Sequence, residues 1–461
     1  MIIIILYNTK IRLSFSGDSY RYRATLWQYF SFLHPKRNFI KSFKEGTWDG
    51  TISMLSKTNE LMAGFLPTLI TLLKDLQVSY KIIDERIKKF NFAEFPNVPQ
   101  ERQYQLDAVK AIANSNVGGI PFYRGIISAA TNSGKSYIMS YLLESCTAKK
   151  VLFLVSSRVV PVQMKELFGR TTTVGDFGED VRVTVATPKK LLNQLESSKN
   201  AQNLAKEYDL ILIDESHKAA SPTYIKLLKY FDPYGMLYFS ATALDVPDVS
   251  AKLYLIGSSG NVLYNIKNTD VVEKKLSLKP VVRFIDIAAI NVDSYPKSYE
   301  INIINNDTMH QAILSECLSS DKVTMIVVQY LDHASQIQDY FKSNGFYIPI
   351  ISGDDFDESV YKDFVDGKVQ WIISTFVIKE GANLPIVQKQ IHAFGGKSDI
   401  TVTQIVGRGQ RLMEGSTDRE LEIVDFKFDV RYLKAHYKKR VSIYKNIGAE
   451  IVNEKQMALA N

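Results

Sequence analysis

The sequence predicts an α/β protein: two parallel sheets flanked by helices, one after the other along the chain, preceded by a small α/β N-terminal domain. Three observations carry this. Short continuous Val/Ile/Leu runs recur from Gly125 to Ser240 and again from Val281 to Asp425, with helical segments between them. Runs of that kind suit strands of a parallel sheet covered on both faces. Residues 1–95 read differently, as β-rich pairs beside basic and aromatic clusters.

Length and composition bound the rest. The 461 residues are 46% hydrophobic and 23% charged, a globular balance long enough for about three domains. The spacing of elements divides them as 1–95, a small basic nucleic-acid-binding domain; 96–270, the first parallel-sheet domain; and 271–461, the second, with a C-terminal basic helix. No apolar run reaches the ~18 residues of a membrane span, so no membrane partner is expected. Cys146 and Cys317 lack metal-ligand spacing and read as reduced core residues of a cytoplasmic protein. The net charge of +7 is uneven: residues 1–95 carry 14 Lys/Arg against 8 Asp/Glu, and residues 427–461 carry 8 against 3. Basic ends around an acidic middle suit a polyanion, although single Lys and Arg residues are usually solvated faces.

Taken in order, Ile2–Tyr7 and Lys10–Phe15 predict strands, and residues 20–33 a helix. Residues 48–55 read as a turn into an alternating strand. Pro67 can open a helix over Thr68–Leu76, and Val78–Ile83 is a further strand. Basic residues interleave with aromatics at Arg21-Tyr22-Arg23, Lys36-Arg37 with Phe39, and Lys41, Phe43, Lys44. That mixture suits phosphate contact and base stacking. The stretch Phe95-Pro96-Asn97-Val98-Pro99 reads as a linker.

Beyond it, the strands expected are Gly125–Ser128, Val151–Ser157, Arg182–Thr187, Leu210–Asp214 and Leu237–Ser240. The first leads into Ala129-Ala130-Thr131-Asn132-Ser133-Gly134-Lys135-Ser136 and then a helical segment. Strand, small-residue loop and Lys-Ser opening a helix is the context of a phosphate-binding loop. Backbone N–H groups and the helix dipole favour an anion there. Lys135 would reach terminal phosphates and Ser136 would hold Mg²⁺. Leu210–Ile213 ends in Asp214-Glu215-Ser216-His217. Asp214 at a strand end can share the metal, and Glu215 can activate water as general base. An acidic pair after a strand is also an ordinary helix start; the two motifs together favour the catalytic reading.

Residues 255–280 read as a crossing segment. The second series predicts strands at Val281–Ile287, Met325–Gln329, Tyr347–Ile351, Trp371–Thr375, Gln390–Phe394 and Leu421–Asp425. It has no second phosphate loop. It carries instead Gln404-Ile405-Val406-Gly407-Arg408-Gly409-Gln410-Arg411, which on a helix puts Gln404, Arg408 and Arg411 on one face. Guanidinium groups there suit developing charge on a phosphate. Residues 431–451 predict an amphipathic helix with Lys434, Lys438, Lys439 and Lys445 off its apolar face.

In this order the motifs resemble those of the superfamily 2 helicases and translocases of DExH type, which have two tandem RecA-like domains. They are Arg102-Gln103-Tyr104-Gln105, Gly134-Lys135-Ser136, Asp214-Glu215-Ser216-His217, Ser240-Ala241-Thr242, Ser374-Thr375 with Gly381 and Asn383, and Gln404 to Arg411. The resemblance implies ATP and Mg²⁺ as cofactors. Arg102, Gln105, Thr131, Asn132, Ser133, Gly134, Lys135, Ser136, Gly381 and Asn383 would bind the nucleotide. Lys135, Asp214, Glu215, Gln404, Arg408 and Arg411 would be catalytic, the last two as arginine fingers. His217, Ser240 and Thr242 would couple nucleotide state to closure. Ser157, Arg158, Thr187, Gln329, Tyr330, Ser374 and Thr375 would grip nucleic-acid phosphates. Ala129 replaces the loop's first Gly, and Asn383 replaces an acidic residue.

The run Glu45-Gly46-Thr47-Trp48-Asp49-Gly50 with Gly64-Phe65-Leu66 is similar to the N-terminal domain of the UvsW-like phage branch-migration DNA helicases. This implies an ATP-dependent helicase that remodels forked or four-way DNA, alongside recombination or replication proteins, in a host-cell cytoplasm. An RNA helicase, an ATP-switched nucleic-acid clamp without processive unwinding, and a small-molecule phosphotransferase stay open alternatives. The third would be indifferent to nucleic acid.

Overall fold

The computed structural model describes residues 1–87, 90–130, 133–155, 160–240, 248–267, 277–352, 358–376, 386–410 and 420–452. The chain forms two compact units: residues 1–266, apart from Thr131–Ser133, and residues 267–461.

The first unit begins with strands β1 (Ile2–Leu6), β2 (Lys10–Phe15), β3 (Ser31–Leu33), β4 (Thr51–Ser53), β5 (Glu60–Met62) and β6 (Tyr80–Asp84). Four of them form a sheet in the order β5-β2-β1-β6, while β3 and β4 pair separately. Along β1, Ile2, Ile4 and Leu6 are fully buried and alternate with half-buried neighbours, so one face carries the core. The helix Leu66–Asp75 covers it through Leu66, Leu69, Ile70 and Leu73. The helix expected over residues 20–33 is shorter. It spans Tyr22–Tyr29, after which Ser31 returns its hydroxyl to Trp27 O and β3 turns to pair with β4. Buried Phe30 and the pairing partner outweigh local helical pattern there.

After a short hairpin of β7 (Asn116–Val117) and β8 (Ile120–Pro121) come β9 (Arg124–Ala129), β10 (Val151–Leu154), β11 (Val174–Gly175), β12 (Val183–Ala186), β13 (Leu210–Asp214), β14 (Gly235–Ser240) and β15 (Val262–Ile266). All seven from β9 onward run parallel in the order β11-β12-β10-β13-β14-β9-β15. The central strands are buried on both faces, as in β10 and β14, where every residue is buried, while the edge strand β15 leaves Val262 exposed. The segment expected to cross between domains therefore starts later: Val249–Ser259 is a helix and β15 completes the sheet edge.

The N-terminal module is packed onto this sheet within the same unit. Arg124, buried at the start of β9, donates to the carbonyl oxygens of Asn8, Pro233 (2.8 Å) and Ser258 (2.9 Å). Gly64 lies so close to the helix Val249–Ser259 that a Cβ there would overlap Ile256 O, Gly257 O and Gly260 N. Phe90 stacks on Tyr123, and Tyr234 meets both rings edge-on.

The second unit has β16 (Lys279–Ile287), β17 (Thr324–Val327), β18 (Ile350–Ile351), β19 (Trp371–Ser374), β20 (Lys389–His392), β21 (Glu420–Phe428) and β22 (Glu450–Ile451). They are all parallel, in the order β18-β19-β17-β20-β21-β16-β22. Two parallel seven-stranded sheets, each flanked by helices, are the tandem RecA-like architecture behind a small α/β region. The C-terminal helix ends earlier than expected, at Asn446. Gly448 at φ +77° donates to Lys445 O and Ala449 donates to Tyr444 O. That pair of bonds is a Schellman closure, and it frees Glu450–Ile451 to join β16.

Candidate functional site

The loop after β9 leads into the helix Lys135–Ser145, whose first residues are Lys135 and Ser136. Gly134 caps that helix at φ +78°, ψ 42°, a left-handed conformation that glycine adopts without steric cost. A Cβ at Gly134 would also collide with Gln105 Nε2. Gln105 is buried on the helix Gln103–Ala113 and donates to Tyr104 Oη at 3.3 Å. Glycine is thus required twice, by its dihedral and by the side chain against it. Lys135 Nζ reaches back over the loop to Ala129 O at 3.3 Å, so the ammonium lies over the cradle its own backbone forms. Ser133 is buried, and Arg102 is half-buried in the turn before the Gln105 helix.

Register brings the acidic pair to the same sheet end. Asp214 pairs with Phe239, Phe239 with Ile127, and Ser240 with Ser128. Asp214 and the root of the loop are therefore two strand spacings apart, about 9–10 Å, with fully buried Ser240 on the strand between them. Glu215 has φ +53° and ψ +56°, and it is one of only three non-glycine residues with positive φ among the described residues. Such backbone costs of order 1–3 kcal/mol and gathers at functional sites. Ser216, next along, is completely buried with no hydrogen-bond partner for its hydroxyl among the described residues.

In the second unit, the helix Asp399–Gly409 is capped by Ser398, which accepts from Thr401 N. Val402, Ile405, Val406 and Gly409 face inward, while Gln404 and Arg408, one turn apart, are both half-buried on its other side. Gln390 on β20 donates to Ile405 O at 2.9 Å, and a Cβ at Gly409 would meet that same amide. The strand thus approaches this helix too closely for a side chain at Gly409.

The remaining expected residues divide. Thr187 precedes the helix Pro188–Ser197 and lines a cavity of about 1130 Å³ in the first unit, with Lys189, Lys190, Asn193, Lys218 and Thr223 around it. Gln329 Nε2 donates to Tyr330 Oη at 2.8 Å, and the Tyr330 ring is 47% exposed. Ser374 is fully buried and donates to Thr375 O, which removes its hydroxyl from any surface; Thr375 is half-buried. Thr131, Asn132, Ser157, Arg158, Thr242, Gly381, Asn383 and Arg411 lie outside the described residues, as does the His217 side chain. The sequence did not single out Lys218, Asn193 or Thr223 beside Thr187, or the strain at Glu215. Backbone strain leaves no residue-type signal, and the cavity joins segments about 30 residues apart.

Comparison with known proteins agrees with this geometry. The family described as "Type III restriction enzyme, res subunit" matches residues 99–245. IRC3 of Saccharomyces cerevisiae is 24% identical over 395 residues, covering 78% of this chain and 55% of that protein. The ATP-dependent DNA helicase uvsW of Enterobacteria phage T4 is 20% identical over 429 residues, covering 83% and 82%. The chain spans little more than half the length of the fungal relatives it matches, 55% and 58%. Among solved structures, S. cerevisiae Dbp5 bound to RNA and ADP BeF3 superposes with a TM-score of 0.53 at 16% identity, covering 85% of this chain and 95% of that one. No helix among the described residues is long and apolar enough to cross a membrane.

Proposed function

From the chain's place among the superfamily 2 helicases, we propose that it is an ATP-driven DNA helicase or translocase that remodels branched DNA, by fork regression, junction migration and unwinding. One observation carries the motor: a Gly134-Lys135-Ser136 helix start on the same parallel sheet as Asp214-Glu215, two strands away and at the same end. The residues fit a nucleotide. The cradle at Gly134 has no room for a side chain, the helix N-terminus offers backbone donors, and Gln105 abuts the loop.

In this reading Lys135 neutralises the terminal phosphates of ATP. Ser136 and Asp214 hold Mg²⁺, which when bound supplies charge stabilisation to the phosphates. Glu215 orients water and takes its proton. Arg408 and Arg411 would act as arginine fingers for the charge that develops, and Gln404 would act with them. Arg102 and Gln105 read the base, while Thr131, Asn132, Ser133, Gly381 and Asn383 complete the nucleotide's surroundings. His217, Ser240 and Thr242 transmit closure. Thr187, Ser157, Arg158, Gln329, Tyr330 and Thr375 contact nucleic-acid phosphates, which position a strand without reading its sequence. Ser374 serves as a buried strut at the strand end.

The basic module 1–95, the helicase domains 96–270 and 271–461, and the likeness to uvsW support branched DNA as substrate, in phage replication, recombination or repair. The experiment is steady-state ATPase at one fixed salt concentration with forked DNA, four-way junction, single strand, linear duplex and RNA in parallel, since phosphate-dominated binding is strongly salt-dependent. Greatest stimulation by forks or junctions is expected. Stimulation mainly by RNA overturns the substrate, and none by any polymer overturns the motor.

A further inference from the structure

Resting on that reading, we infer that Phe39 is a nucleobase-stacking tip that takes an unpaired or frayed base at a DNA branch point. The ring is 82% exposed, the most exposed large apolar side chain among the described residues. Folded chains normally bury a phenylalanine, whose ring brings more apolar area than almost any other residue. Here it stands on a braced support. Residues 37–39 form a 3₁₀ turn in which Arg37 N donates to His34 O, Phe39 N to Lys36 O and Ile40 N to Arg37 O, each at 3.0 Å.

Beneath the turn, the Trp48 ring sits 6.1 Å from His34 and 6.5 Å from Phe43, its indole N–H donating to Thr51 O at 2.8 Å. The Arg37 guanidinium lies 5.9 Å over the Phe43 ring. Gly50, at φ +83°, closes the support, for a Cβ there would run into Arg37 and Phe43. Trp48, Phe43 and Arg37 hold the turn, and Phe39 takes no part in that packing.

Charge selects the ligand. Residues 36–44 contain four cations and no acid, and Lys36, Lys41 and Lys44 are all exposed. Among the described residues, the ion pair found there is Lys41 with Glu45 at 3.6 Å, between two largely exposed side chains. One flat ring among cations fits one base face with its flanking phosphates. A lipid surface or a protein hot spot would call for contiguous apolar area, whereas the residues just before this ring are Lys36, Arg37 and Asn38. Base faces inside a duplex are hidden by stacking, so the accessible ones are in single strands and at branches. The module's rigid packing on the first sheet through Arg124 and Gly64 lets a base held there resist movement of the duplex.

The test uses the full chain as wild type, F39A, F39W and K36A/K41A/K44A, with a fork carrying 2-aminopurine at the branch and a linear duplex of equal length, at matched salt. For F39A the fork Kd rises about 5- to 100-fold, the loss typical of one stacked base. Duplex Kd stays within twofold and the fork-dependent quench of 2-aminopurine disappears. F39W restores both signals. The lysine variant weakens fork and duplex alike and reduces the salt slope by ~3. F39A indistinguishable from wild type on forks, or F39A weakening fork and duplex equally, overturns the tip. The motor reading fails separately, if wild-type ATPase ignores every polymer, DNA and RNA alike.

Discussion

Arg440 and Asp425 are both fully buried and pair through two contacts of 2.8 Å, Nε to Oδ2 and NH2 to Oδ1. The pair heads a chain of buried hydrogen bonds. Tyr444 donates to Asp425 Oδ2 at 2.8 Å, and His392 Nδ1 bonds the Tyr444 hydroxyl at 2.7 Å. His392 Nε2 lies 3.0 Å from Gln390 Oε1, the neutral ring donating from one of its two nitrogens, and Gln390 donates to Ile405 O. The C-terminal helix is thereby tied through β21 and β20 to the helix that carries Gln404 and Arg408. Removing one member of a buried pair strands the other charge, so R440A should destabilise the second unit by roughly 3–5 kcal/mol. Urea unfolding of R440A beside R440M and Y444F measures it. R440A unfolding at the wild-type midpoint would show that the pair contributes nothing.

Acid should loosen this unit before it affects the first. Burial holds His392 neutral in the fold, its pKa pushed down to about 4, with the Asp425 carboxylate opposing and Arg440 adding to the shift. Burial likewise takes His333 down to about 3, with His310 adding, and lowers His310, where nearby Asp307 opposes. These folded values lie below the ~6.5 of an unfolded histidine. The unfolded chain therefore binds protons first, so their contribution is complete above about pH 6.5 and is lost as pH falls towards 4 and 3. The urea midpoint should be flat above pH 7 and should fall below 6.5, with a shallower acid limb in H333L. An acid limb unchanged by that substitution would contradict the assignment.

Glu215 combines a strained backbone with the proposed role of activating water. E215Q keeps the strain and removes the base, so turnover should drop about 10²–10⁴-fold with ATP affinity retained. E215G also loses turnover. Its stability should equal or exceed that of E215A by about 1 kcal/mol, because alanine keeps the left-handed penalty and glycine does not. ATPase and thermal unfolding of the three variants separate chemistry from strain. E215A more stable than E215G would mean that the backbone relaxes without glycine.

How much of this was legible follows from where the information sits. The places of Lys135 and Asp214 could be read because one opens the helix after an apolar strand and its loop and the other ends such a strand, and strand ends meet at one edge of a parallel sheet. Arg440 was counted with the basic C-terminus, yet it lies inside. Its partner Asp425 closes a run of apolar residues on β21, and nothing local announces that a helix will cover it. The strand at Ser31–Leu33 was missed because its pairing partner is 20 residues on. Gly448 carried the signal that ends the C-terminal helix, but apolar spacing continued past it to Ile451. Pairings between distant segments decided these cases against local pattern.

Gly134 should tolerate no side chain. G134A must hold φ near +78° with a Cβ, against the buried Gln105 amide. Nucleotide affinity should fall at least about tenfold, ~1.4 kcal/mol, since the loop shifts before ATP can dock. The double variant G134A/Q105A should recover only part of the loss relative to Q105A alone, because the dihedral penalty stays while the proposed contact of Gln105 with the base is absent from both. Equilibrium binding of a fluorescent ATP analogue reads both, and full recovery in the double variant would assign the effect to the clash alone.

Gly64 poses the sharpest test of whether the N-terminal module acts as one piece with the first sheet. The atoms in the way of a Cβ, Ile256 O, Gly257 O and Gly260 N, are all backbone. None can swing aside as a side-chain tip would, so the helix Val249–Ser259 must separate from Phe65 and Leu66 or shift as a whole. G64A should expose the stretch after Asp84 to limited proteolysis and lower the first thermal transition by several degrees. ATPase stimulated by single-stranded DNA should persist, since Lys135, Asp214 and Glu215 belong to a sheet whose core does not include Gly64. Stimulation by forks should fall towards the single-strand level, because a branch contact on a loosened module transmits no force. If G64A keeps full fork stimulation while the module is protease-sensitive, branch recognition lies outside residues 1–95.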